Sequence, residues 1–277
     1  MKHLLCATDF SDGGNNAVAY AAALASSCAA TLHVLHAYKS QTSAVTAFKG
    51  LNEILEADAK EALEGLKEAL LQAHPGLKVI VYAAFGHSDE VIAAKADALD
   101  VDMMVIGTRG KSLLDTLFFG STSTALCKRA GRPLLLVPPS CSFGAGKEVA
   151  YATALRTDVQ PSMLSFLKHF GEVIGKNFSV IHVYDGDHPL TPAQELRHAQ
   201  LQEVLGIPKN VQHLIYSEDV IAAILAHVGA QDSSVLALHL YHYGFLERLF
   251  VPSVADALLS KAKLPLLLLP VAAATAG

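Results

Sequence analysis

Residues 102–124 read DMMVIGTRGKSLLDTLFFGSTST, an apolar run that stops at a glycine and opens into a loop holding two more. The GKS at Gly110 to Ser112 looks like the end of a Walker A loop. That loop needs four residues between its first glycine and the Gly-Lys pair, and Gly107 and Gly110 have only two between them. The P-loop reading therefore fails. The spacing that stands is Gly107, two residues, Gly110, nine residues, Gly120 and then Ser121.

Upstream of this stretch, short apolar runs alternate with helical patterns. HLLCAT precedes an Ala-rich helix from about Asn15 to Ala29, and TLHVLHAY precedes a helix across Asn52 to Gln72. KVIVYAAF, a helix across Asp89 to Leu99, the strand DMMVIG, a helix from Ser121 and PLLLVP complete the series. Strand and helix in strict alternation predict an α/β domain with a parallel sheet and right-handed crossovers. In the long helix, Ile54, Leu55, Leu63, Leu66 and Leu70 form the expected core stripe, with Glu56, Lys60, Glu64 and Lys67 on the other side.

The chain has 277 residues, 52% of them hydrophobic, which is long enough for two domains with separate cores. A formal net charge of -5 and the lack of any Lys or Arg block argue against nucleic acid as a partner. PLLLVPP and PLLLLPVAAA are too short and too proline-bounded to span a membrane, so buried strands are expected. The N-terminus MKHLLCATDF carries no signal-peptide core, and a cytoplasmic protein is the expectation. Cys6, Cys28, Cys127 and Cys141 have no CxxC spacing and are read as small buried hydrophobes.

Comparing the chain with itself shows a repeat. RPLLLVP and LPLLLLP match at an offset of 132, and the same offset sets Leu114, Leu117 and Phe118 on Leu246, Leu249 and Phe250. TLHVLHAY meets NFSVIHVY at an offset of 146, bringing His36 onto His182 and Tyr38 onto Tyr184. A tandem duplication follows, with domains at 1–139 and 148–277 and the Pro, Gly and Ser-rich stretch 140–147 as linker.

A loop that leaves the C-terminal end of a parallel strand and enters a helix is where open α/β sheets bind ligands. Gly107 and Gly110 remove side chains from that approach, and Gly120 with Ser121, Thr122 and Ser123 supplies N–H groups at a helix start, an arrangement suited to phosphates. Glycines of this kind also simply make turns. The second copy replaces Gly107, Gly110 and Gly120 with His239, His242 and Pro252, and keeps only Ser253 opposite Ser121. It packs the same apolar positions without the glycines, which points to a ligand role for them in the first copy.

This set of residues resembles the universal stress protein family, in its tandem-domain form. The motif G-x2-G-x9-G-[ST], the opening strand ending in TDFS, the HA of TLHVLHAY and the closing PLLLVP carry the resemblance over nearly the whole chain. The resemblance implies two tandem doubly wound domains, each a five-stranded mainly parallel sheet with helices on both faces, Rossmann-like and similar to the adenine nucleotide alpha hydrolases. It further implies ATP binding, with Mg2+, at Ala7, Asp9, Ala37, Ile106, Gly107, Arg109, Gly110, Gly120, Ser121, Thr122 and Ser123. In that picture Asp9 lies near ribose and adenine, the Ala37 backbone reads the adenine edge, and the loop from Gly110 to Ser123 holds the phosphates. Arg109 and Lys111 are either phosphate contacts or solvated side chains. Asp9 has an alternative as an Asx turn or helix cap in DFSDGG, but at an offset of 146 the second copy has Leu155 there, which favours a ligand role. Two departures from the family are Ala7, where many members have Pro, and Gly86-His87-Ser88 in place of G-x-P.

No Walker B partner, HExxH or Gly-x-Ser-x-Gly elbow is present, so a binding protein with at most slow ATP turnover is expected. Asp12 and Asp115 are candidate Mg2+ contacts with ordinary surface roles as the alternative. His239 and His242, even with His182, fall short of a convincing zinc set and are read as filling the space of an absent nucleotide. The leading expectation is an ATP-binding stress regulator whose first domain alone holds nucleotide, with Pro133 to Pro138 pairing with Pro265 to Pro270 inside the chain and a possible homodimer. An ATP-cleaving or adenylyl-transferring enzyme and a nucleotide-free interaction module are the alternatives.

Overall fold

Strands buried on both faces of a parallel sheet carry continuous apolar runs rather than alternating ones, and HLLCA, MMVIG and LLLV are such runs. The computed structural model describes residues 1–39, 49–108, 122, 125–126, 131–144, 148–155, 159–175, 177–186, 189–206, 212–230, 235–240, 258 and 263–270. The chain divides into two compact units, Met1–Phe143 and Gly144–Gly277.

The first unit contains β1 (His3–Ala7), α1 (Asp12–Ser27), β2 (Thr31–Tyr38), α2 (Lys49–Ala73), β3 (Lys78–Phe85), α3 (Ser88–Ala98), β4 (Met103–Gly107) and β5 (Leu134–Val137). Its strands lie in the order β3-β2-β1-β4-β5, each parallel to its neighbours in this unit. The order reverses between β1 and β4, the switch point where open α/β sheets bind ligands beyond the strand ends. Leu4, Leu5, Cys6, Val105 and Leu134 to Val137 are all fully buried there, so the switch point sits on the best-packed part of the sheet.

The second unit contains β6 (Glu148–Ala152), α4 (Pro161–Ile174), β7 (Asn177–Tyr184), α5 (Pro192–Leu205), β8 (Gln212–Tyr216), α6 (Val220–Ala230), β9 (Val235–Leu240) and β10 (Leu266–Pro270). Its order, β8-β7-β6-β9-β10, repeats the first. Both units are doubly wound α/β domains.

Two details differ from the sequence reading. In α2 the buried positions are Ala59, Leu63 and Leu70, whereas Ile54 is 58% exposed, because the stripe drifts around a long helix and Ile54 falls outside it. Of the cysteines, Cys6 is buried but Cys28 and Cys141 are half-buried, and Cys127 lies outside the described residues. The expected helix from Ser121 is described only at Thr122, Ala125 and Leu126, which are helical. Among the described residues no helix is long and apolar enough to cross a membrane.

Close packing makes one glycine indispensable and another replaceable. A Cβ on Gly171 in α4 would lie 1.9 Å from the Phe178 ring, whereas a Cβ on Gly65 in α2 would meet nothing within 4 Å. Gly171→Ala is expected to lower stability by about 1–3 kcal/mol through overpacking. Gly65→Ala is expected to raise it by about 0.5–1 kcal/mol through helix propensity. Chemical denaturation midpoints of the two variants check both signs.

Candidate functional site

Ala7, Ala37, Ile106 and Gly107 lie at the C-terminal ends of β1, β2 and β4, and Asp9 follows two residues after β1. Ala7, Ala37 and Ile106 fall on one face, and Thr8, His36 and Gly107 on the other, so the candidates straddle the end of the sheet at the switch point. Ala7, Asp9, Ala37 and Gly107 are partly exposed, while the Ile106 side chain is 4% exposed and has only its backbone to offer a ligand. Thr122 is partly exposed at a helical position. Arg109, Gly110, Lys111, Gly120, Ser121 and Ser123 lie outside the described residues, as does Asp115.

The chain leaving β1 makes a tightly bonded turn. The Thr8 amide donates to Leu35 O at 3.0 Å, and the Phe10 amide donates to Thr8 Oγ1 at 3.0 Å. His36 Nδ1 donates to Thr8 O at 2.8 Å; a carbonyl only accepts, so the ring carries its proton on Nδ1. Phe10 packs its ring against His36 with centroids 4.6 Å apart. These bonds hold Phe10 at φ 57, a left-handed conformation that costs a bulky residue about 1–3 kcal/mol.

Asp9 sits inside this turn. Its Oδ1 accepts from the Ser11 amide at 3.0 Å and from the Ser11 hydroxyl at 2.5 Å, and Ser11 in turn caps α1 by accepting from the Gly14 amide at 3.1 Å. This is the Asx turn that stood as the alternative for Asp9, and it places the carboxylate at the positive end of α1. A Cβ on Gly14 would lie 2.7 Å from Asp9 Oδ1, so Gly14 is bare to make room for the carboxylate. Sequence reasoning missed Gly13 and Gly14; the signal was two poor helix formers in the first turn of a helix.

Gly107 has a packing reason of its own. A Cβ there would meet Gly13 O at 2.6 Å, so the end of β4 and the start of α1 touch backbone to backbone. The inference that Gly107 is glycine for a ligand's sake is therefore not needed. In the second unit His239 occupies the same register position, since β9 pairs with β6 as β4 pairs with β1. It fits because α1 follows β1 after residues 8–11, whereas α4 follows β6 only after residues 153–160. His239 is 7% exposed, with Nε2 2.5 Å from the hydroxyl of Tyr151, which is fully buried where the first unit has Cys6.

The register also corrects the pairing of Asp9 with Leu155. Thr153 donates its amide to Ile181 O as Thr8 does to Leu35 O, and His182 Nδ1 donates to Thr153 O at 2.9 Å as His36 does to Thr8. Leu155, at φ 54, is therefore the counterpart of Phe10, and Ala154 that of Asp9. The offset is 145 on this side of β7, one less than the strand match suggested. The carboxylate is still absent from the second copy. There the turn is met from outside instead: Gln194 Nε2 donates to Ala154 O at 3.1 Å and Arg197 Nη1 to Leu155 O at 3.3 Å. Among the described residues no three His, Cys, Asp or Glu side chains gather as a metal set, and His242 lies outside them.

Comparison with known proteins agrees with the fold. A family model described as the universal stress protein family matches residues 1–138. A universal stress protein of Thermus aquaticus is 33% identical over 139 residues, which cover 49% of this chain and 98% of that protein. One from Methanocaldococcus jannaschii is 25% identical over 154 residues, covering 49% of this chain and 94% of its own length. The solved structure of a universal stress protein from Archaeoglobus fulgidus matches with a TM-score of 0.73 over 97% of this chain and 98% of that one, at 18% identity, a likeness of fold.

Two outcomes follow from the packing. Gly107→Ala is expected to cost about 1–3 kcal/mol in ligand-free protein, because the start of α1 has to move away; an unchanged denaturation midpoint would show the contact to be unimportant. Burial pushes His239 down to about 4, so the folded chain keeps it neutral while the unfolded chain takes up a proton below the ordinary value near 6.5. Its contribution is intact above pH 6.5 and lost as pH falls to 4, by about 3 kcal/mol in all. His239→Gln should flatten the acid limb of a stability–pH curve by that amount.

Proposed function

Because the chain belongs to the universal stress protein family, we propose that it is an ATP-binding regulator whose first domain holds the nucleotide with Mg2+. The second domain, built on the same fold, serves as a partner without nucleotide. The observation that carries this reading is the Asp9 carboxylate, held by Ser11 at the C-terminal strand edge and given room by Gly14. A polar group fixed beyond the strand ends at the switch point is what ribose hydroxyls require.

The residues present fit the ligand. Asp9 would meet the ribose, the backbone at Ala37 the base, and the loop from Gly110 to Ser123, with Thr122 at a helical position, the phosphates. Bound ATP supplies a charged polyphosphate and an occupancy that follows the nucleotide level. In the second domain Ala154 replaces Asp9, His239 replaces Gly107, and Gln194 and Arg197 already occupy the carbonyls of the turn. These differences support one nucleotide per chain. Cys6 and Cys28, thiols outside any disulfide, suit a reducing cytoplasm. The assembly is proposed to be a homodimer, with the state of the first site biasing association.

Mass spectrometry of small molecules released from purified protein, followed by titration of Mg-ATP into the stripped form, tests this. One ATP per chain is expected in the wild type and none after Gly120→Pro, which copies the second domain's own residue at that place. Asp9→Ala is expected to weaken binding about tenfold or more, as loss of a charge-assisted hydrogen bond does. A stripped wild type that takes up no nucleotide at millimolar ATP would overturn the proposal.

A further inference from the structure

The chain contains the same clasp twice, and only one copy carries a carboxylate. In the first domain His36 Nδ1 holds Thr8 O, Thr8 Oγ1 holds the Phe10 amide, and Phe10 is kept left-handed with its ring against His36. In the second domain His182 Nδ1 holds Thr153 O, Thr153 Oγ1 accepts from the Leu155 amide at 3.2 Å, and Leu155 is left-handed. The residue between the two anchors is Asp9 in one and Ala154 in the other. A clasp that survives without the acid is a scaffold, and the first domain adds to it a carboxylate in the turn beyond the end of β1.

We propose that His36 is a positioning residue for nucleotide, acting through Thr8 to fix where the Asp9 carboxylate meets the ligand. The inference rests on the first domain being the nucleotide site. His36 has its Nδ1 proton committed to Thr8 O, and that bond persists whether or not Nε2 is protonated, because Nδ1 is a donor in both forms. Asp9 is tied on its other side by Ser11, and Gly14, lacking a Cβ, leaves room for its carboxylate. Loss of the His36 bond frees Thr8 O and the left-handed turn, so the carboxylate keeps its Ser11 partner but loses its fixed distance from β2, where the base would lie. Displacements of about 1 Å in a positioning shell suffice to change binding and rate by large factors.

The test uses the full chain, Mg-ATP titration calorimetry and ligand-free thermal denaturation. His36→Phe keeps a ring beside Phe10 and removes the donor; it is expected to weaken ATP binding about tenfold. His36→Asn, whose amide N–H reaches the same carbonyl, is expected to bind within about threefold of wild type. His182→Phe removes the equivalent bond from the second domain and is expected to lower the melting temperature as His36→Phe does, with ATP affinity unchanged. In an Asp9→Ala background His36→Phe is expected to add nothing further, as two residues acting through one group are non-additive. If His36→Phe is not recovered folded, His36→Ala and His36→Asn carry the same comparison. Wild-type affinity in His36→Phe, equal weakening by His182→Phe, or full additivity with Asp9→Ala would each overturn the inference while leaving the nucleotide site standing. A wild type that binds no ATP would overturn both.

Discussion

The first domain depends on a single close approach, the backbone of Gly13 at the start of α1 against Gly107 at the end of β4. With a Cβ on Gly107 only 2.6 Å from Gly13 O, no other residue fits without moving the helix. The contact brings the positive end of α1 down onto the switch point of the sheet. Ser11 then caps the helix, Asp9 bonds Ser11, and Gly14 stays bare beneath the carboxylate. Asp9, Ser11, Gly13, Gly14 and Gly107 thus share one steric cause.

The second domain shows the alternative solution to the same packing problem. Its helix starts later, at Pro161, and the position of Gly107 is filled by His239, whose ring meets the Tyr151 hydroxyl. An imidazole buried there is kept neutral by desolvation, so the substitution makes this domain acid-sensitive. Its turn keeps the histidine clasp but not the acid, and α5 donates Gln194 and Arg197 to the turn's carbonyls. The duplication preserved the parts that shape the strand ends and exchanged the parts that face outward from them.

The strands were legible because apolar runs bounded by polar residues have one stable fate in a parallel sheet: TLHVLHAY and KVIVYAAF are β2 and β3 to the residue. The long helix was less legible, since Ile54 satisfies helical spacing but lies past the end of the buried stripe. Asp9 was singled out correctly as a site candidate, but its comparison residue was Leu155 rather than Ala154. The loops after β1 and β6 differ in length, and only the strand register fixes where the one-residue shift falls. Gly14 was missed although two glycines in the first turn of a helix were a local signal, and His36 was matched to His182 without a role because its bond to Thr8 crosses between two strands.

The sequence by itself determined the strand and helix alternation, the internal duplication and the glycine loop, since periodicity, repetition and spacing are properties of the chain alone. Only the tertiary structure decided why Gly107 is a glycine, which residue answers Asp9, and what His36 and His182 hold. Those rest on contacts between residues far apart in the chain, as in His36 to Thr8 and Gly107 to Gly13. A strand and a helix reveal their own faces in sequence, whereas the distance between two of them exists only once they are packed.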